Sequence, residues 1–280
     1  MKSIVAFWVA FSSVITLAMP AHSVGFEVIA PHRAIYEITL LKASDRSGIK
    51  DMKGRMVYEV RGNECEGISL QYRFLSRITT GRDYFLSDQH TSTFESADGK
   101  SFNFLTKSFL NEQLEETVKG IARQVSDGGV NVVLERPSAQ VFDFSKARFL
   151  TSHLVELIKQ AKNGENYLRG DLFDGSDGGD ETISTSSFIS GQKSIADSKH
   201  PQAPAVVSDL KSLRAWPVAM SYFKKDTGAT AEHLPIFESS FLLFENGVST
   251  DLVMRYPDYS LTGKLTQLEM FKNPPCRDDG

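Results

Sequence analysis

The sequence predicts a mainly β protein in which one large antiparallel sheet of about 14 strands wraps a single helix. Three observations carry this prediction. Apolar and polar residues alternate with a period near 2 from residue 32 onward, turn residues separate the alternating segments, and one segment has helical spacing instead. An open antiparallel sheet of that size has to curl into a barrel, a spiral or a pair of packed layers.

The alternating segments mix β-branched and aromatic residues with polar ones, which is typical of strands with one buried face. Turn dipeptides such as Asp98-Gly99 and Asn246-Gly247 lie between neighbouring segments, so consecutive strands are expected to pair as a meander. The predicted strands cover residues 32–41, 54–61, 68–79, 84–94, 102–110, 115–123, 130–135, 140–144, 165–173, 181–189, 216–223, 236–244, 248–256 and 260–271.

The only predicted helix covers residues 151–162. Thr151 or Ser152 can cap its first turn, and Asn163-Gly164 can end it. Its apolar face is wide enough to bury against a sheet, so we expect the helix to lie at the centre of the curled sheet. The residues of that face are Leu150, Leu154, Leu157, Ile158 and Ala161.

The first two dozen residues have the three parts of a secretory signal peptide. Lys2 supplies a positive charge, residues 4–19 are almost wholly apolar, and small residues precede a predicted cleavage after Ser23. The apolar run is about 16 residues, shorter than the roughly 20 that span a bilayer comfortably. An uncleaved membrane anchor is the alternative interpretation. We expect residues 1–23 to be removed and the mature chain to have no transmembrane segment.

Residues 24–280 are predicted to form a single domain, because no change in composition divides them. The segment 190–212 is polar and contains prolines, which favours a long, flexible surface loop. The net charge of −4 argues against a nucleic-acid partner, since phosphate binding needs a basic face.

Two cysteines, Cys65 and Cys276, lie in the mature chain. An exported protein meets oxidising conditions, where an even pair usually forms a disulfide. The bond would tie the third β segment to the last residues of the chain. A free reactive thiol and a metal-binding pair are the alternatives, although neither cysteine has another Cys or a His at ligand spacing.

The common catalytic signatures are missing from the sequence, which favours a protein that is not an enzyme. His153 and Glu156 lie three residues apart on the predicted helix and could form an acid–base pair, but a structural role is the preferred interpretation. A triad assembled in space keeps a hydrolase as a less favoured alternative. The other histidines of the mature chain form no local pairs: His32, His90, His200 and His233.

Residues 174–181 form an acidic, glycine-rich segment between two predicted strands. Asp174, Asp177 and Asp180 would be the ligands if calcium bound here, but their spacing does not match the twelve-residue calcium loop. The plainer interpretation is a turn, in which Gly supplies positive φ angles and Asp bonds its own backbone. No metal site and no cofactor are therefore predicted.

Several stretches together resemble the envelope integrity protein B (EipB) family of exported alphaproteobacterial proteins, formerly catalogued as a domain of unknown function. Residues 31–38, with the letters PHRAIYEI, resemble the P-H-R-A-x-Y opening of that family. The helix at 151–162, followed by Gly164-Glu165 and by Phe173-Asp174-Gly175-Ser176, is similar to its helix and its D-G-S turn. Cys65 and Cys276 match its disulfide pair. The resemblance covers nearly all of the mature chain.

The resemblance implies a β-spiral around a helix, located in the periplasm and similar in shape to periplasmic lipoprotein carriers. It implies a role in cell-envelope integrity and stress resistance, a periplasmic tetratricopeptide-repeat protein as a partner, and no enzymatic activity. The leading hypothesis is therefore a non-enzymatic periplasmic factor that acts by binding another protein. A carrier or chaperone of a lipid or lipoprotein is the alternative, and an envelope hydrolase is less favoured. No ligand-binding residue is predicted.

Overall fold

The structure, a computed structural model, describes residues 25–199, 202–225 and 234–276. The predicted signal peptide, its cleavage after Ser23, and the histidines His200 and His233 lie outside the described residues. Within them, 15 strands form one sheet, which confirms the predicted mainly β fold. No helix of the described part of the chain has the length and apolar character needed to cross a membrane.

All the predicted strands are present, and the additional one, β9, has two residues and is too short to show an alternating pattern. The strands are β1 His32–Ala43, β2 Ile49–Asn63, β3 Gly67–Thr80, β4 Asp83–Ser96, β5 Ser101–Leu110, β6 Gln113–Gln124, β7 Val130–Arg136, β8 Gln140–Phe144, β9 Arg148–Phe149, β10 Tyr167–Phe173, β11 Ile183–Ile189, β12 Ala215–Lys224, β13 Phe237–Phe244, β14 Ser249–Arg255 and β15 Tyr259–Met270. The helices are α1 Leu150–Lys162 and α2 Pro204–Leu210, with short 3-10 helices at Phe26–Val28, Asp45–Ser47, Asp177–Gly179 and Ile195–Asp197.

Strands that follow one another in the chain are neighbours in the sheet, except β8 and β9, which form its two edges. The order runs from β8 back to β1, continues through β15, and ends at β9. The first and last strands therefore pair in the middle of the sheet, where His32 lies opposite Met270 in an antiparallel ladder. All ladders are antiparallel except the short parallel one between β9 and β10. The two edge strands, β8 and β9, do not pair, so the sheet is not closed.

Aromatic side chains bridge the gap between the two edges of the sheet. The ring of Phe102 on β5 stacks on Phe149 of β9 at 5.1 Å, and Phe104 meets Phe173 of β10 edge-on at 5.5 Å. Phe144 on β8 also stacks on Phe173, at 6.0 Å. Packing of side chains thus brings the ends of the sheet together where no backbone ladder does, and the result is an open barrel.

Helix α1 lies within the curl of the sheet and follows directly from β9. Its C-terminus ends as predicted: Gly164 has a φ of +78° and donates its N–H to the carbonyl of Ala161 at 3.1 Å. The predicted capping by Thr151 or Ser152 is wrong, because the helix begins at Leu150 and both residues lie inside its first turn. The N–H groups of that turn are bound instead by the Glu95 carboxylate of β4.

The segment predicted as a long loop, 190–212, contains a second helix, α2, that packs against β15. Val206 and Leu210 of α2 are buried, and Asp251 accepts hydrogen bonds from the Ser198 hydroxyl and the Lys199 N–H, each at 2.8 Å. The prediction of a single helix is therefore wrong. The apolar stripe of α2 spans one turn, which is too short to produce a helical period in the sequence.

Candidate functional site

The candidate site is a cavity of about 390 Å³ between α1 and the inner face of the sheet. Strands β1 to β5 supply one wall and β10, β12, β13 and β14 supply the other, so strands far apart in the sheet meet around it. Its volume lies in the lower part of the range of small-molecule sites. The apolar side chains that line it are Met56, Leu70, Leu150, Leu154, Leu157, Leu172, Met220, Phe237, Phe241, Leu243, Leu252 and Met254.

Helix α1 presents one face to the cavity, at the spacing i, i+3, i+4 and i+7. Leu150, Leu154 and Leu157 occupy three of these positions, and His153 occupies the fourth. His153 is 3% exposed, and neither of its ring nitrogens has a hydrogen-bond partner among the described residues. Burial lowers the pKa of His153 to about 4, with Arg148 acting in the same direction, so the ring is neutral at pH 7.

The predicted alternative of an acid–base pair on this helix is not assembled. Glu156 does not line the cavity, and its carboxylate accepts a hydrogen bond from the Gln160 amide at 2.7 Å. The His153 ring has no such partner. The two side chains therefore occupy different surroundings, one apolar and one polar, although they share one turn of the helix.

Four tyrosines, Tyr36, Tyr58, Tyr72 and Tyr222, also line the cavity. The hydroxyl of Tyr36 donates to the Ser249 carbonyl at 2.8 Å. Burial raises the pKa of Tyr36 and of Tyr222 to about 12, so these phenols stay neutral. The lining residues include no Lys or Arg, and Asp174 is the one carboxylic acid among them. The cavity is thus mainly apolar, with neutral polar groups set into its wall.

The predicted disulfide partners, Cys65 and Cys276, are joined in the structure with a Cα–Cα distance of 5.6 Å. Cys65 lies in the turn between β2 and β3, and the Asn63 amide donates to the Pro274 carbonyl at 3.2 Å beside it. Glu64 is near both sulfur atoms, but the sulfurs are bonded to each other rather than available to a metal. Neither cysteine lines the cavity. The bond therefore fastens the C-terminal segment to the turn between β2 and β3, away from the cavity wall.

The acidic segment 174–181 forms a packed turn. The Asp174 carboxylate accepts the Ser176 N–H at 2.9 Å, as expected for an Asx turn. Gly175 has a φ of +72°, and a Cβ at that position would lie 2.6 Å from the Phe104 ring. The side chain of Asp177 is outside the described part of the structure, and Asp180 is exposed. Among the described side chains, this turn brings no three ligand groups together.

The remaining described histidines, His32 and His90, contact oxygen atoms other than a serine hydroxyl. The Nδ1 atom of His32 lies 2.7 Å from the Ala30 carbonyl, and burial lowers the pKa of this ring. His90 lies beside Asp88, with the Nε2 atom 3.0 Å from the carboxylate, on a partly exposed part of β4. No serine hydroxyl of the described residues forms a hydrogen bond with any of these rings.

Comparison with known proteins decides the family. A family model described as EipB-like matches residues 25–272. The chain belongs to the EipB-like family. The resemblance noted in the sequence is thereby confirmed.

Among EipB-like relatives, the chain is similar to the cell envelope integrity protein EipB of Brucella abortus (strain 2308). The two are 36% identical over 244 residues, which cover 87% of this chain and 85% of the relative. The fold is similar to a crystal structure of a β-barrel-like protein of a domain of unknown function from Brucella abortus. That comparison has a TM-score of 0.81 and 36% identity, and it covers 87% of this chain and 99% of the other. The EipB relative is named as an envelope-integrity protein and not as an enzyme.

Proposed function

We propose that this EipB-like protein supports integrity of the cell envelope from the periplasm by holding the apolar chain of a lipid or lipoprotein in its open barrel. The observation that carries the proposal is the cavity of about 390 Å³ between α1 and the sheet, with its mainly apolar wall. The name of the EipB relative from Brucella abortus supports the envelope role. The proposed activity is binding without covalent chemistry.

The lining of the cavity favours an apolar occupant for an energetic reason. Each methylene group that leaves water for such a wall contributes about 0.8 kcal/mol. An ionised group would find no cationic side chain among the lining residues. The volume suits one acyl chain better than a lipid with several chains. The apolar lining favours ligand binding over the protein–protein role, which is the leading hypothesis from the sequence.

A substitution that fills the cavity tests this proposal. Thr91 lines the cavity from β4, and the next residue, Ser92, is exposed on the opposite face of the same strand. Thr91→Trp is expected to abolish binding of methyl cis-parinarate, a fluorescent and uncharged fatty acid ester, while Ser92→Trp binds it as the wild type does. Equal binding by both variants would place the probe elsewhere and contradict the proposal.

Native mass spectrometry of protein released gently from the periplasm provides a second test. We expect a fraction of the wild-type protein to carry the added mass of one acyl lipid, and the Thr91→Trp variant to lack it. A wild-type protein that carries no lipid and takes up no methyl cis-parinarate would end the proposal.

Protein binding remains a second candidate function, and the free edge of the sheet favours it. β8 is an edge strand, and its Val141 side chain is 63% exposed. An open edge can accept a strand from another protein through backbone hydrogen bonds. A periplasmic tetratricopeptide-repeat protein is the partner we propose to test first.

Site-specific crosslinking separates the two candidate functions. A photo-crosslinking amino acid at Val141 should capture the purified tetratricopeptide-repeat protein, whereas the same group at Ser92, in the middle of the sheet, should not. Equal capture from the two positions, or no capture from Val141, would exclude β8 as the binding edge.

The periplasmic location is itself part of the proposal. It is supported by the positive charge, apolar run and small residues of the first 23 residues and by the envelope role of the relative. N-terminal sequencing of protein from the periplasmic fraction is expected to begin at Val24. A mature protein that keeps Met1 and remains with the membrane would contradict it.

A further inference from the structure

His153 is the polar exception on the face that α1 presents to the cavity. Leu150, Leu154 and Leu157 fill the neighbouring positions of that face. A neutral imidazole carries one N–H donor and one acceptor nitrogen. Both nitrogens of His153 are buried and without a hydrogen-bond partner among the described residues. Buried polar groups in native proteins are nearly always paired, and each exception requires an explanation.

Within the described part of the chain, no side chain of the cavity wall forms a hydrogen bond with the ring. The hydroxyl of Tyr36 is already bonded to the Ser249 carbonyl, and the Nδ1 atom of His32 lies 2.7 Å from the Ala30 carbonyl. Arg148 and Glu156 act on the ring only through their charges, without a hydrogen bond. A ligand that enters the cavity can supply the partner that the ring lacks among the described residues.

We propose that His153 anchors the head group of a neutral, hydroxyl-bearing amphiphile, such as a long-chain alcohol or a monoacylglycerol, whose chain fills the cavity. A hydroxyl can either accept from the imidazole N–H or donate to the other nitrogen, whereas an ester oxygen can only accept. A carboxylate or phosphate is disfavoured because no described Lys or Arg lines the cavity. This inference rests on the proposed function, since it requires a ligand in the cavity.

Probes of equal chain length and different head groups test the inference. The displacement of 1-aminoanthracene is measured with 1-decanol, methyl decanoate and decanoate at pH 8. Wild-type protein is expected to bind 1-decanol about tenfold more tightly than the other two, which corresponds to one hydrogen-bonded head group. His153→Leu should remove that preference, because it weakens binding of 1-decanol more than binding of methyl decanoate. His153→Gln, which keeps a donor and an acceptor, should retain most of it.

His153→Leu should have opposite effects on ligand binding and on stability. Without ligand, His153→Leu is expected to raise the melting temperature by about 2–6 °C, because it removes an unpaired buried imidazole. His90→Leu, on a partly exposed part of β4, serves as the control and should change neither property. A residue with a purely structural role would instead lower the melting temperature when it is replaced.

Histidine-selective ¹⁵N NMR of the wild type gives a readout that needs no substitution. 1-Decanol should shift the His153 ring resonances and leave those of His90 in place; a silent His153 ring would overturn the inference. Binding of all three probes with no change in His153→Leu would also overturn it while leaving the proposed function intact. A wild-type protein that binds none of the probes would overturn both.

Discussion

The Glu95 carboxylate of β4 accepts the backbone N–H of Thr151 in the first turn of α1, with an Oε2–N distance of 2.9 Å. Oε1 accepts the Ser152 N–H at 3.2 Å, and the Ser152 hydroxyl donates to the same carboxylate. Glu95 is 0% exposed. The first N–H groups of a helix have no partner within it and carry a partial positive charge. Glu95 supplies that partner and fixes the helical wall of the cavity to the sheet.

Removal of this carboxylate should destabilise the protein. Glu95→Ala leaves the N–H groups of Thr151 and Ser152 without an acceptor and creates a small void. We expect the free energy of unfolding to fall by about 2–4 kcal/mol at pH 6, measured by urea denaturation. Glu37→Ala, at an exposed position of β1, is the control and should stay within about 0.5 kcal/mol of the wild type. A similar small change for both variants would show that the contact between Glu95 and α1 contributes little.

The same carboxyl group should make stability fall as the pH rises. Burial raises the pKa of Glu95 from 4.5 to about 7, outweighing the hydrogen bonds from Ser152 and Thr151. Between these two values the folded protein keeps a proton that the unfolded chain has released, so the stabilisation present below pH 4.5 is lost as the pH approaches 7. The upper bound on this loss of stability is about 3 kcal/mol, since a change of one pKa unit corresponds to about 1.4 kcal/mol.

Glu95→Gln isolates this effect, because Gln cannot titrate and keeps an acceptor oxygen. The lowered pKa values of His32 and His153 make stability rise with pH, which is the opposite trend. This contribution is the same in the wild type and in Glu95→Gln. The free energy of unfolding of the wild type minus that of the variant, measured by denaturation from pH 4.5 to pH 8, should therefore fall as the pH rises. A constant difference across this range would mean that Glu95 keeps an ordinary pKa.

The strands were predictable because each strand has one buried face. Along β7, Val130, Val132 and Leu134 are buried while Asn131 between them is more exposed, and this alternation is visible in the sequence although Val133 is apolar and exposed. Pairing of consecutive strands also followed from the sequence, because short hairpin turns leave them few other neighbours. The pairing of β1 with β15 has no such signal in the sequence.

The cavity could not be predicted, because a period of 2 identifies the residues of one face but not whether that face curls on itself. Thr106 of β5 and Ser239 of β13 line the same cavity although six strands lie between β5 and β13 in the sheet order. Glu95 was missed for a related reason: a carboxylate at an inward position of a strand looks like an ordinary polar residue until its partner is known. His153 was assigned a structural role because no sequence pattern reveals an unpaired ring.

Loss of the disulfide should lower stability without changing the fold. Cys65→Ser or Cys276→Ser frees residues 271–276 from the turn between β2 and β3. The loop-entropy model gives an upper bound of about 5 kcal/mol for a loop this long. We expect a lower melting temperature, faster proteolysis near the C-terminus and an unchanged far-UV circular dichroism spectrum. Reduced wild-type protein should behave like the variants, and coincident melting curves for oxidised wild type and variant would exclude a stabilising role.

The aromatic cluster should hold the two edges of the sheet together. Phe173 contacts the rings of Phe102, Phe104 and Phe149, and it is 1% exposed. Phe173→Ala is expected to lower the free energy of unfolding by about 3–5 kcal/mol. Because no backbone ladder joins β8 to β9, amide hydrogen exchange should accelerate first in these edge strands and leave the ladder of β1 and β15 protected.

Phe188→Ala is the matched control for this substitution. Phe188 is 60% exposed on β11 and contacts only the ring of Tyr167 among the described aromatic pairs, at 5.1 Å. Phe188→Ala should lower the free energy of unfolding by less than about 1.5 kcal/mol and leave amide hydrogen exchange in β8 and β9 unchanged. If Phe173→Ala accelerates exchange equally in all strands, the cluster stabilises the whole sheet and has no special role at the gap. The selective pattern is expected because the rings are the contact that substitutes for the missing ladder.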